Sequence, residues 1–218
     1  MSTERLVDTP HGPARLVTDR SRHPAATLLL GHGAGNGIDS RDLEALAHDL
    51  PRNGITVVRL EQPWKVAGRR LATPPATLDA GLVAASDQLR VRTPLVVGGR
   101  SAGARSAART ARSLGATGCL ALSFPLHQPG RTEPTRLPEL LGTGLPTLVV
   151  QGERDPMGRP EEFPDDASGI DLVVVPGGDH GLKVPARGEV SQEEAMGIVV
   201  ESTLEWLVRE VVGNPSGG

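Results

Sequence analysis

The chain has 218 residues, 38% of them hydrophobic, which suits one well-buried core and is too short for two of comparable size. Its formal net charge of −3 leaves no basic footprint for a nucleic-acid backbone, and aromatic residues at 2% offer almost nothing for unpaired bases to stack on. A single cysteine, Cys119, excludes an internal disulfide, and no apolar run has the length of a membrane span or a secretory leader, so a soluble cytoplasmic protein without a membrane partner is expected.

In chain order, two short β-like runs come first, Arg5–Asp8 and Ala14–Thr18, with Pro10 and Gly12 marking a hairpin turn between them. Beyond residue 25, short continuous apolar runs alternate with longer helical patterns, the signature of a parallel sheet covered on both faces. The runs predict strands at Ala26–Leu30, Ile55–Leu60, Pro94–Gly98, Gly118–Phe124, Pro146–Val150 and Asp171–Val175. Helices are expected at Asp42–Leu50, Ala76–Leu89, Ala102–Leu114 and Leu137–Leu141, with a further piece near Glu161. The last helix spans about Glu193–Val211, opened by a capping box of Ser191 and Glu194 and followed by Gly213. One α/β domain over residues 1–212 and a disordered tail over 213–218 are expected: a doubly wound, mostly parallel sheet with an antiparallel hairpin at its N-terminal edge. Such sheets bind ligands at the carboxyl ends of their strands, so the residues directly after each strand carry the functional information.

The third such segment is Gly99-Arg100-Ser101-Ala102-Gly103, a G-x-S-x-G pattern between a strand and a helix. A serine on that turn exposes its hydroxyl, and the helix beginning at Ala102 supplies free N–H groups to a developing oxyanion. The first segment, residues 31–37, is glycine-rich, but it fails the dinucleotide fingerprint at Asn36 and has no Gly-Lys-Ser/Thr ending for a phosphate loop. What remains is either a tight connection or the second half of an oxyanion hole, with Ala34 as donor, Gly33 beside it and Ala102 as the counterpart. His180 follows the last strand between glycines, where an imidazole can swing over the sheet and take the serine proton. Asp155 follows the preceding strand and can orient that imidazole, with Asp179 and Glu153 as rival carboxylates.

The resulting order, Ser101, Asp155, His180, with a glycine loop upstream, is the α/β-hydrolase order. The string from Gly98 to Arg105, preceded by Gly31-His32-Gly33-Ala34-Gly35, resembles the dienelactone-hydrolase-like part of the α/β-hydrolase superfamily. More narrowly it resembles small bacterial hydrolase-like proteins and the hydrolase-like subunit of an animal chromatin-modifying complex. The resemblance implies an α/β-hydrolase fold, and carries the family's serine, acid and histidine onto Ser101, Asp155 and His180.

Only a dozen or so residues separate Phe124 from Arg136, so no large cap domain and an open site for small or medium substrates are expected. Trp64 and Phe124 are candidate pocket walls, and His127 a candidate substrate contact. Arg69, Arg70, Arg100 and Arg105 suit a carboxylate or phosphate, although Arg100 could instead pair with Glu61 or another acid and brace the turn. Cys119, inside an apolar strand, reads as an inert thiol. No metal or cofactor is expected. These residues imply a serine hydrolase acting on an ester, thioester or lactone, and the alternative is a non-catalytic α/β-hydrolase scaffold.

Overall fold

A computed structural model describes residues 2–35, 37–70, 74–128, 130, 131, 133, 135–164 and 169–213. Asn36 and residues 214–218 of the tail expected to be disordered lie outside the described residues. Eight strands form one sheet: β1 (Ser2–Val7), β2 (Ala14–Asp19), β3 (Ala26–Gly31), β4 (Ile55–Glu61), β5 (Leu95–Arg100), β6 (Gly118–Leu122), β7 (Thr147–Gly152) and β8 (Ile170–Val175). Their spatial order is β1-β2-β4-β3-β5-β6-β7-β8. β2 runs antiparallel to both β1 and β4, and every other pairing is parallel.

The helices are α1 (Arg41–Asp49), α2 (Pro63–Val66), α3 (Pro75–Asp87), α4 (Ala102–Thr110), α5 (Leu137–Leu141) and α6 (Gln192–Leu207). Strand periodicity assigns them to faces. Leu28 and Leu30 of β3 point into a core made by α1 and α6, through Leu43, Leu46, Val199 and Trp206. Leu29 points the other way, into the core of α3, α4 and α5 with Leu82, Ala104 and Leu140. The central strands β3, β5, β6 and β7 are buried along their whole length, which is why their sequences are mostly apolar, with few polar residues, rather than alternating. Cys119 lies in the second core with no exposed surface, and burial pushes its thiol up to about 12.

Most differences from the sequence-based expectation have local causes. β6 stops at Leu122 because Ser123 turns into the left-handed region, at φ 47°. The piece near Glu161 is a single 3-10 turn, Pro160–Glu162, and α2 is a single turn begun by Pro63 that the sequence reading missed. Gly213 was expected as a helix stop. Its φ is −78°, and it closes a wide terminal turn by donating to the Val208 carbonyl, so α6 ends without a left-handed cap. The Ser191–Glu194 capping box is present in both directions. The link from Leu122 to Leu137 is too short to hold a cap domain, and no described helix is long and apolar enough to cross a membrane.

Candidate active site

The turn after β5 is built on steric necessity. Strand β5, helix α4 and the end of β3 approach so closely that a Cβ on Gly99 would lie 2.4 Å from the Gly31 carbonyl oxygen. One on Gly103 would meet the same atom at 2.4 Å. Only glycine fits at either position. Between them Ser101 sits at φ 54°, ψ −112°, a strained conformation for a residue with a side chain, and its N–H is tied to the Leu122 carbonyl at 2.9 Å. The turn therefore holds the hydroxyl above the sheet.

Ser101 Oγ lies 2.9 Å from His180 Nε2, and His180 Nδ1 lies 2.8 Å from Asp155 Oδ2. With the carboxylate accepting from Nδ1–H, the imidazole's Nε2 is left to accept the serine proton. Asp155 is fully buried, and the His180 side chain is 25% exposed. A buried carboxylate needs donors, and Asp155 has two besides the imidazole. Gln151 Nε2 donates to Oδ2 at 2.9 Å, and the Met157 N–H donates to Oδ1 at 2.8 Å. The rival acids are occupied elsewhere. Asp179 Oδ1 accepts from the N–H groups of Gly181 and Lys183, and Glu153 Oε2 accepts from Gly177 N–H. A model of the alpha/beta hydrolase domain family matches residues 24–208. The chain belongs to that family.

Solved structures agree on the fold of this alpha/beta hydrolase. XC6422 of Xanthomonas campestris, a serine hydrolase without a lid, superposes with a TM-score of 0.72 at 18% identity over 100% of this chain and 97% of that one. A dienelactone hydrolase from Anabaena variabilis gives 0.72 at 17% identity, over 97% and 98%. Est1E of Butyrivibrio proteoclasticus gives 0.69 at 16% identity, over 94% and 99%. No curated protein sequence matches the chain.

The glycine-rich loop of this hydrolase lies against the serine, since a Cβ on Gly33 would stand 3.4 Å from Ser101 Cβ. Its orientation comes from a residue that sequence reading did not select. His32, fully buried, accepts the Gln62 N–H on Nε2 at 3.1 Å, which fixes the proton on Nδ1. That N–H donates to the Gly33 carbonyl at 2.8 Å. Because C=O and N–H point oppositely across a trans peptide, the bond sets the direction of the Ala34 N–H. Ala102, as first residue of α4, carries an N–H with no partner inside the helix.

Arg100 braces these loops together. Its Nε stands 3.0 Å from Asp42 Oδ2 on α1, and Nη2 donates to the His180 carbonyl at 2.6 Å. Asp42 has no exposed surface and Arg100 about 5%, so the pair is shielded from solvent. The Glu61 pairing considered for Arg100 is not made: Glu61 binds Arg15 at 2.9 Å. Arg105 is likewise committed, forking onto Glu139 of α5.

The expected pocket residues need correction. Phe124 is fully buried in the core beneath the sheet's edge, where an apolar ring is more stable than in water, and offers no wall to a ligand. His127 is 7% exposed and its Nε2 is bonded to the Glu162 carboxylate. Trp64 is 3% exposed, tilted against the His32 ring at 5.5 Å, and so supports the glycine-rich loop from behind. The structure therefore gathers Ser101, His180, Asp155, Gly33, Ala102 and Arg100, while Phe124 and His127 belong to the surrounding packing.

Proposed function

We propose that the protein is a serine hydrolase of carboxylesterase, thioesterase or lactonase type, with Ser101, His180 and Asp155 as its catalytic triad. The observation that carries this reading is the 2.9 Å approach of Ser101 Oγ to His180 Nε2, with Asp155 on the far side of the ring. Ser101 Oγ attacks the substrate carbonyl carbon while its proton passes to Nε2. The carbonyl oxygen becomes an oxyanion held by the N–H groups of Ala102 and Ala34, with Gly33 lining the same hole. Such donors contribute about 10²–10³-fold each because they are already aimed where charge develops. Collapse breaks the bond to the leaving alkoxide or thiolate, which takes the proton from Nε2. Water then attacks the acyl-serine with His180 again as base, releasing the acid and restoring the hydroxyl.

Asp155 holds the Nδ1–H tautomer and stabilises the imidazolium, and Gln151 and the Met157 N–H hold Asp155 in turn. No cofactor enters this scheme. The absence of a cap suits a small or medium substrate and ready entry of water. The test is hydrolysis of p-nitrophenyl esters of increasing acyl length by the purified protein. Turnover that falls roughly 10⁶-fold in Ser101→Ala, with the fold intact by circular dichroism, is the expected result. A well-folded protein with no turnover on any ester, thioester or lactone would favour the scaffold reading.

A further inference from the structure

At the opposite end of the sheet, where the parallel strands begin, the surface carries an open cavity of about 880 Å³. Its floor is made of hydroxyl groups: Thr27 at the start of β3, Thr56 at the start of β4 and Thr93 just before β5. Thr27 Oγ1 and Thr93 Oγ1 share a hydrogen bond of 2.9 Å, and Thr56 Oγ1 accepts the Ser21 N–H at 3.2 Å, so this floor is fixed.

Four arginines line the cavity, Arg5, Arg20, Arg90 and Arg92, against one acid, Asp87. Arg5 is committed: Nη2 donates to the Gln88 carbonyl at 2.6 Å and offsets the partial negative charge at the end of α3. Arg20, Arg90 and Arg92 are exposed and have no carboxylate partner among the described residues. A second cavity of about 610 Å³ shares Arg20 and adds Arg22 and Arg52. Its one carboxylate, Asp19, is already held by Arg59 and Ser2. Six arginines thus line the two cavities beside two lining aspartates, and of the two that the second cavity adds, Arg52 is already paired with Asp49 at 3.7 Å. By contrast, Asp42 neutralises Arg100, and Glu139 and Asp79 neutralise Arg105 and Arg109.

We propose that the 880 Å³ cavity is a second ligand site, for a small, multiply phosphorylated anion that carries no base. Guanidinium forks match phosphate oxygens bidentately, and three of them on one cavity suit a ligand with more than one phosphate. The volume lies within the range of small-molecule sites, about 300–1,000 Å³. The described lining has no aromatic ring, so a nucleobase would find no aromatic platform there. Strand β5 separates the cavity from Ser101 by roughly 20 Å, so its ligand is not the ester substrate and the proposal stands whether or not Ser101 is active.

The experiment is isothermal titration of the whole protein with inorganic tripolyphosphate, with sulfate at the same ionic strength as reference. Tripolyphosphate is expected to bind at least tenfold more tightly than sulfate. Substituting Arg20→Gln, Arg90→Gln and Arg92→Gln together should weaken it by about tenfold per arginine, while ester hydrolysis and melting temperature stay unchanged. Equal binding by the parent and the triple variant, or no preference over sulfate, overturns the site. A flotation assay with vesicles containing phosphatidylinositol bisphosphate separates a lipid source from a free one. Capture by vesicles without binding of tripolyphosphate makes this face a bilayer contact and also overturns the proposal.

Discussion

The two ends of the sheet treat their charged side chains in opposite ways. Around Ser101, buried polar groups have partners: Arg100 with Asp42, and Asp155 with the His180 imidazole and Gln151. Around Thr27 and Thr93, Arg20, Arg90 and Arg92 stand in solvent with no carboxylate partner among the described residues. Buried pairs fix geometry and leave one arrangement of the loops, which is what a proton transfer between two side chains requires. Solvated guanidinium groups keep their rotamer freedom and can close on an anion when one arrives. One end is organised in advance, and the other is organised by what binds it.

That contrast can be broken at graded points. The largest effect short of removing the nucleophile is expected from Asp155→Asn, which keeps the shape but favours the wrong imidazole tautomer. About 10⁴-fold should be lost from kcat with KM little changed, read by steady-state ester hydrolysis. Next comes Arg100→Met, which leaves Asp42 buried without its counter-charge and should destabilise the fold by about 3–5 kcal/mol in a denaturant titration. Adding Asp42→Leu should restore much of that stability while hydrolysis remains slow, because the His180 carbonyl has still lost its donor.

Smaller still is the surface network of Glu139. Burial alone would raise its carboxyl, but hydrogen bonds and charge from Arg105 and Arg109 outweigh it and hold the group below the usual range. A carboxyl depressed in the folded state contributes stability at neutral pH that is lost as pH falls through its folded value. Glu139→Gln should therefore cost about 1 kcal/mol at pH 7, a difference from the parent that shrinks in acid melts. At the other end Arg90→Gln, with no carboxylate partner among the described residues to lose, should shift stability by no more than about 0.5 kcal/mol.

The sheet, its antiparallel edge and the chain positions of Ser101, Asp155 and His180 were legible in sequence. Apolar runs, glycines flanking a serine and order along the chain are local signals. Partnerships between distant residues were not legible. Nothing near Asp42 announces that it meets Arg100, and a buried His32 or Gln151 reads as an ordinary polar residue until its two neighbours are known. Phe124 misled for a related reason: its position after a strand suggested the rim, while the left-handed turn at Ser123 carries it into the core. Asp155 led Asp179 in sequence, and the structure agrees: Asp155 meets the His180 imidazole while Asp179 accepts the N–H groups of Gly181 and Lys183.

The central claim concerns a hydroxyl activated by an imidazole, and covalent labelling reads it without knowledge of the substrate. Incubation with a fluorophosphonate followed by peptide mass spectrometry should place one phosphonyl adduct on Ser101, formed orders of magnitude more slowly in His180→Ala. An unlabelled Ser101 in folded protein, or labelling at the same rate without the imidazole, would contradict the account.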